Sequence, residues 1–323
     1  MSQQIIVDKT LKFKGRANID PNIEGNASYK KLVISDDFTG AALDAGRWVF
    51  AGDNGGTEAI TAGTNGTVTL TTGATNDDRS IIASPLIFLC AKNPVIEARV
   101  KVSAATLVGI NFGFNDATTE GNDALAAEIT AAAMVNAKST DCAMFIYDTD
   151  ATIDHLYVGA TDTDVEGAPV LAQAVGYAFN GTGYLQNGAR IQMLPGSTVL
   201  TMQTTGTLYI ELPVGCTGTL TDGTGTFTGS VISLTAGLNT IACTAAGTAT
   251  VVWGRTPGTT YQTWRVGLDS GGNATFWVNG EAVGRLADCV TKTAPLCAFL
   301  GVITRTTAAR VLTVDYIRAW QDR

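Results

Sequence analysis

The residues of this 323-residue chain best suited to chemistry are its carboxylates, and their spacing argues against their use. Retaining hydrolysis of a glycosidic bond needs two carboxyl groups about 5–5.5 Å apart, one a nucleophile and the other an acid and base. A strand provides that on one face at i, i+4, or at i, i+5 with a bulge. Glu120, Asp123 and Glu128, three and five residues apart, stand in an Ala-rich stretch that does not read as such a strand, while Asp148, Asp150 and Asp154, like Asp162, Asp164 and Glu166, read as turn or loop acids. A Ser-His-Asp triad would have to use His155, the one histidine, and no nucleophile-elbow pattern accompanies it. The six cysteines (Cys90, Cys142, Cys216, Cys243, Cys289 and Cys297) form no CxxC pair, which with a single histidine argues against a zinc site. Buried free thiols are expected, with Cys216–Cys243 the one pairing worth checking. The sequence predicts a protein that is not an enzyme.

Flat aromatic rings are the other chemistry on offer, since an exposed indole can stack on a sugar. Of Trp48, Trp253, Trp264, Trp277 and Trp320, Trp264 alternates with polar neighbours in a strand-like run and reads as core. Trp277 points opposite to Phe276 and Val278 and is the glycan-binding candidate. It is expected to line a concave sheet face, with residues 115–122 and 148–166 adding polar contacts. Its alternative is an ordinary place in the core.

The elements that would position these groups are short strands bounded by Gly, Asn, Asp and Thr. From Val95 to Val102, Val95, Glu97, Arg99 and Lys101 alternate with Ile96, Ala98, Val100 and Val102, which predicts one apolar and one mainly charged face. A meander is expected from Tyr261: one strand, a turn at Asp269–Asn273, a second strand, a two-residue Asn279-Gly280 turn, and a third strand to Leu286. Residues 123–137 read either as a short helix or as strand disguised by alanine. From Ile191 to Trp253 there is no Lys or Arg, and Glu211 and Asp222 are the acids. That composition shift predicts a small Ig-like β domain inserted in a larger sandwich, or else a Gly/Thr-rich extension.

Hydrophobic residues at 45% and charged ones at 15% predict a folded chain with a sizeable core. The net charge of −8 argues against nucleic acid as a partner. It is unevenly spread: residues 1–31 carry about +3, leaving about −11 for the rest. The start lacks a signal-peptide pattern, and no apolar run is long enough to span a bilayer, so neither export by a leader nor a membrane is expected.

Two segments carry a family resemblance. Ser35-Asp-Asp-Phe-Thr-Gly with Leu43-Asp-Ala-Gly-Arg-Trp48, and Tyr261 to Asp269 with Phe276-Trp-Val-Asn-Gly and Val314-Asp-Tyr-Ile-Arg-Ala-Trp-Gln321, resemble the first and last strands of concanavalin-like sandwiches. That group contains laminin-G-like modules and family-16 glycoside hydrolases. The resemblance implies an all-β jelly-roll sandwich over residues 34–190 and 255–323, with residues 191–254 inserted and 1–33 an extended N-terminal arm. It also implies terminal strands that lie close together. The Glu-x-Asp-x-x-Glu catalytic strand of those hydrolases has no counterpart here. The aspartate of their closing strand helps bind calcium, so Asp315 is the implied metal ligand, the alternative being an ion pair with Arg318 or Arg47; no other cofactor is implied. In layout the chain also resembles virion structural proteins of tailed bacteriophages. That implies a capsid decoration protein of the virion, an oligomer of trimeric kind, whose arm grips the major capsid protein through Lys9, Lys12, Lys14 and Arg16 while the sandwich displays a lectin-like face. A glycan-binding adhesion module of a tail or cell surface is the alternative.

Overall fold

In the computed structural model, residues 31–61, 66–130, 139–151, 154–163 and 257–323 are described with their side chains, and short strands at 133–135 and between 165 and 253 by their backbone. The chain is all-β, and its two eight-stranded antiparallel sheets form a jelly-roll sandwich. Its strands are β1 (Lys31–Asp36), β2 (Val49–Gly52), β3 (Thr57–Thr61), β4 (Thr67–Thr71), β5 (Arg79–Ala83), β6 (Val95–Val102), β7 (Val108–Asn115), β8 (Glu128–Thr130), β9 (Ala133–Val135), β10 (Cys142–Asp148), β11 (Leu156–Asp162), β12 (Val165–Glu166) and β13 (Val170–Leu171). After strands β14–β23 (Asn180–Trp253) come β24 (Gln262–Leu268), β25 (Ala274–Val278), β26 (Glu281–Leu286), β27 (Cys297–Thr304) and β28 (Val311–Asp322).

The first sheet runs β26-β25-β24-β6-β28-β4-β3, with β1 on the distal half of β28. The second runs β12-β11-β10-β7-β27-β5-β2, with β13 on β11. Pairing is antiparallel throughout, and the long closing strand β28 holds β6 along one edge and β4, then β1, along the other. The first and last described strands are therefore hydrogen-bonded neighbours, as the resemblance implies.

The main core lies between the sheets. Ile96, Ala98, Val100 and Val102 of β6 enter it, as the alternation predicts, and meet Ile110, Phe112 and Phe114 of β7. Trp264 is fully buried and packs on Phe112 and Phe145, with ring centroids 6.1 and 5.5 Å away. The meander forms as expected. Asn279 and Gly280 have φ of 52° and 83°, the left-handed values of a type I′ turn, and Val278 pairs with Glu281 across it.

Three expectations need adjustment. β1 begins at Lys31, inside the span read as an arm to residue 33, because Lys31, Leu32 and Val33 pair with Asp322, Gln321 and Trp320. Residues 1–30, which include Lys9, Lys12, Lys14 and Arg16, lie outside the described residues. Within the Ala-rich stretch, Glu128–Thr130 and Ala133–Val135 are strands paired with each other, and Ala124 to Ala127 are buried ahead of them in irregular backbone. Finally, β14–β23 pair among themselves into two five-stranded sheets. This self-paired set starts at Asn180, ahead of the composition shift at Ile191, because that shift marks where Lys and Arg stop, which is not where strands start. The Cys216–Cys243 pairing falls outside the residues whose side chains are described. Cys90, Cys142 and Cys297 are buried free thiols and Cys289 is a partly buried one.

Candidate functional site

The outward residues of the first sheet assemble a strip of indoles and guanidiniums. Period-two alternation sends Phe276, Trp264, Ala98 and Ile317 into the core, so their neighbours Trp277, Arg265, Glu97 and Arg318 point away from it. Strand register lines these four up in one row: Trp277 opposite Arg265, Arg265 opposite Glu97, and Glu97 opposite Arg318. Trp320 joins from the next outward position of β28. The Arg265 guanidinium lies between two indoles, 5.4 Å from the Trp277 ring centre and 5.2 Å from that of Trp320, and Arg318 is 5.2 Å from Trp320. A Cβ on Gly267 would stand 3.2 Å from Cζ3 of Trp277, so a glycine there lets the indole lie over β24.

Glu97 is the charge at the centre of the strip. Its Oε1 accepts from Arg318 Nη2 at 2.8 Å and from the Tyr316 hydroxyl at 3.1 Å, and Arg265 Nε is 4.0 Å from Oε2. The Nε–H groups of Arg265 and Arg318 have no hydrogen-bond partner. Burial first, then the charge of Glu97, raises the Tyr316 hydroxyl above its ordinary pKa, so it stays a donor. One row on, Arg99 Nη1 bonds Asp315 Oδ2 at 2.7 Å, and Arg99 and Lys101 lie over the Tyr261 ring at 4.5 and 4.7 Å. The side chains of Arg99, Arg265 and Arg318 remain 41–44% exposed, so the guanidiniums are within reach of a ligand.

Asp315 does not suit calcium. It sits at a β-bulge, where the pairing of β28 with β6 shifts between Val314 and Tyr316. The bulge turns both Asp315 and Tyr316 outward and puts the carboxylate on Arg99. Arg318 and Arg47, the partners considered from sequence, bond Glu97 and Asp44 instead. Ca²⁺ takes six to eight oxygens, whereas this carboxylate is matched by a cation, and no group of three His, Cys, Asp or Glu suited to a metal occurs among the described residues.

Trp277 is where alternation put it, but its expected companions are elsewhere. Asn115 and Asp148 belong to the second sheet and face away from the core on the far side of the sandwich. Among the described residues, part of that far face is covered by the chain leading into β8. Leu125, Ala126, Ala127 and Ile129 pack on Met144, Ile146, Phe299 and Ile303 in a second apolar cluster. The Asn111 amide holds this segment in place, donating to Ala127 O and accepting from Ala127 N, each at 2.9 Å. Gly301 makes room, since a Cβ there would come within 2.8 Å of Leu125 Cδ2.

Two of the acids read as loop residues, Asp148 and Asp150, gather with Asp77 and Glu128 at the rim of this face, around one buried arginine. Arg305 grips Asp148 through Nε at 3.0 Å and Nη2 at 2.7 Å, Asp77 at 2.5 Å, Glu128 at 3.2 Å and Asp150 at 3.3 Å. Burial raises the Glu128 carboxyl above the usual range despite Arg305. A similar pair, Arg79 with Asp53 at 2.5 Å, lies nearby in β5. Each of these carboxylates is matched to a guanidinium, an arrangement that holds loops to the sheet. Sequence reasoning missed the cluster because Arg305 meets its partners across more than 150 residues of chain; the one local signal was the density of acids from Asp148 to Asp154.

No family model and no curated protein matches the chain. Among solved structures, it is similar to a protein of unknown function from Shewanella oneidensis MR-1, at 8% identity and a TM-score of 0.45, covering 94% of this chain and 95% of that one. The carbohydrate recognition domain of Emp47p is similar at 8% identity and a TM-score of 0.46, covering 91% and 98%. A β-glucanase of Bacillus licheniformis is similar at 8% identity and a TM-score of 0.43, covering 90% and 98%. At such identities and scores, no ligand or reaction transfers to this chain.

Proposed function

We propose that this protein is a non-catalytic glycan-binding module whose contact surface is the outer face of the first sheet, centred on Trp277 and Trp320. The observation that carries the reading is the row of part-exposed indoles on a rigid sheet, spaced by strand geometry and flanked by hydrogen-bonding guanidiniums. Indoles offer the flat apolar surface that packs against the C–H faces of a pyranose, and Arg265 and Arg318 supply directional donors at its edges. On the far side, Asp77, Glu128, Asp148 and Asp150 are taken up by Arg305, so the reading gives those carboxylates a structural role.

Glycan-array binding tests this directly. Trp277→Ala is expected to weaken binding by about ten- to a hundredfold, the equivalent of roughly 1.4–2.8 kcal/mol, with the melting temperature nearly unchanged because the ring is not in the core. Equal binding by wild type and variant would exclude this face.

A second reading places the same module on a virion as an oligomeric capsid decoration protein, and the observation favouring it is the basic charge of residues 1–31 on an otherwise acidic chain. In that setting Lys9, Lys12, Lys14 and Arg16 grip the major capsid protein and the sandwich faces outward. Co-sedimentation with capsids, with and without residues 1–30, tests it: binding that survives the deletion argues against a gripping arm.

A further inference from the structure

Resting on the glycan-binding reading of this face, we infer that its ligand is an anionic polysaccharide, carrying carboxylate or sulfate groups, and not a neutral one. The strip is locally basic on an acidic protein. Arg99, Lys101, Arg265 and Arg318 stand against Glu97 and Asp315 over the three central strands, a surplus of positive charge on a chain of net charge −8. At the strip's end Asp322 is opposite Lys31 in register, which leaves that surplus intact.

The arrangement of the cations matters as much as their number. Arg265 and Arg318 lie over indole faces with their side chains more than 40% exposed, and Glu97 takes up only part of their capacity, through Arg318 Nη2 at 2.8 Å and the 4.0 Å approach of Arg265 Nε. Glu97 sits beneath them, 10% exposed in its side chain, and holds both heads in position without covering them. Because Arg265 lies over both indoles and Arg318 over Trp320, a sugar placed against either ring adjoins a guanidinium. A guanidinium donates two parallel N–H bonds to a carboxylate or sulfate, and such charge-assisted bonds are roughly twice as strong as those to a neutral hydroxyl. A neutral glycan would have to displace water from these cations and return weaker bonds. An acidic one replaces that water with matched charge.

Affinity electrophoresis of the full chain distinguishes the cases, with gels containing alginate or polygalacturonate (carboxylated), carrageenan (sulfated), laminarin or xylan (neutral), or double-stranded DNA. Retardation is expected on at least one acidic polysaccharide, at least about tenfold stronger than on the neutral gels, and it should weaken as salt rises from 50 to 300 mM through screening. The Arg265→Gln/Arg318→Gln double variant should lose about tenfold or more on the acidic gel. Arg265→Lys/Arg318→Lys, which keeps Glu97 paired and so guards against misfolding, should lose part of that because the planar fork is gone. Retardation only by neutral polysaccharides, or acidic binding untouched in both double variants, overturns the inference and leaves the glycan-binding reading standing. Retardation by none of the polysaccharides overturns both. Retardation by DNA as strong as by the acidic polysaccharides reduces the face to a general anion binder and overturns the inference.

Discussion

Arg305 shows how one side chain can define a region of a sandwich that its sequence neighbours do not reveal. It is 5% exposed and holds Asp77, Glu128, Asp148 and Asp150 from three separate stretches of chain. Removing it would strand the buried carboxylate of Asp148, and breaking such a pair by deleting one partner costs about 3–5 kcal/mol. Arg305→Met is therefore expected to lower stability by that amount in urea unfolding; a loss under about 1 kcal/mol would mean the loops are held otherwise. Glu128 makes a separate, pH-dependent contribution. Burial raises its native pKa above the ordinary carboxylate value, with Arg305 pulling the other way. The native state then keeps a proton that the unfolded chain has released. Its contribution is thus full below about pH 4.5 and is lost as pH rises through the raised native value. Glu128→Gln cannot titrate, so between pH 4.5 and 7 its urea midpoint should fall less steeply than that of wild type. Identical slopes would remove Glu128 as the source. None of this was legible locally, whereas the fates of Trp264 and Trp277 were, because alternation within one strand decides them.

Among the elements, alternation identified faces and left register unassigned. The charged face of β6 follows from the sequence of Val95–Val102 alone, and the Asn279-Gly280 turn follows from the two residue types that tolerate positive φ. That Arg265, Glu97 and Arg318 share a row depends on which strands are neighbours, and β6 sits between β24 and β28, which are distant in sequence. The bulge at Asp315 is likewise unreadable, since it breaks period two within one strand and exchanges an implied metal ligand for a partner of Arg99. The alanines of residues 123–137 hid a strand because burial on the second sheet overrode their helix preference. The pairing of β1 with β28 yields its own prediction. Asp36 Oδ2 accepts from Trp48 Nε1 at 3.1 Å, so β1 ties the closing strand to a buried indole. Deleting residues 1–30 should leave the thermal midpoint within about 2 °C of wild type. Deleting residues 1–36 should lower it by several degrees, as expected for loss of roughly 1–3 kcal/mol in a protein of this size. Equal melting of the two truncations would show that β1 contributes nothing to the sandwich.

For the whole molecule, the question is whether β14–β23 are a dependent extension or a unit of their own. The sandwich strands on either side pair without them: β13 pairs with β11, β24 pairs with β6 and β25, and among the described residues neither sandwich sheet takes a strand from between Asn180 and Trp253. Each sheet of the interval closes its own antiparallel ladder, so most of its backbone hydrogen bonds do not depend on the sandwich. Loop-closure entropy grows slowly with length, so a long insertion between β13 and β24 costs the sandwich little. We therefore propose that the interval folds independently. Replacing residues 174–256 with a flexible Gly/Ser linker should leave a sandwich that unfolds in one cooperative transition and keeps the near-ultraviolet signal of Trp264 packed on Phe112 and Phe145. It should also retain glycan affinity within about threefold, because Trp277, Arg265, Glu97 and Arg318 all lie outside the replaced segment. A broad, non-cooperative transition with loss of the aromatic signal would mean that the inserted sheets support the sandwich core. Cooperative unfolding combined with lost glycan binding would instead place part of the binding surface in the insertion.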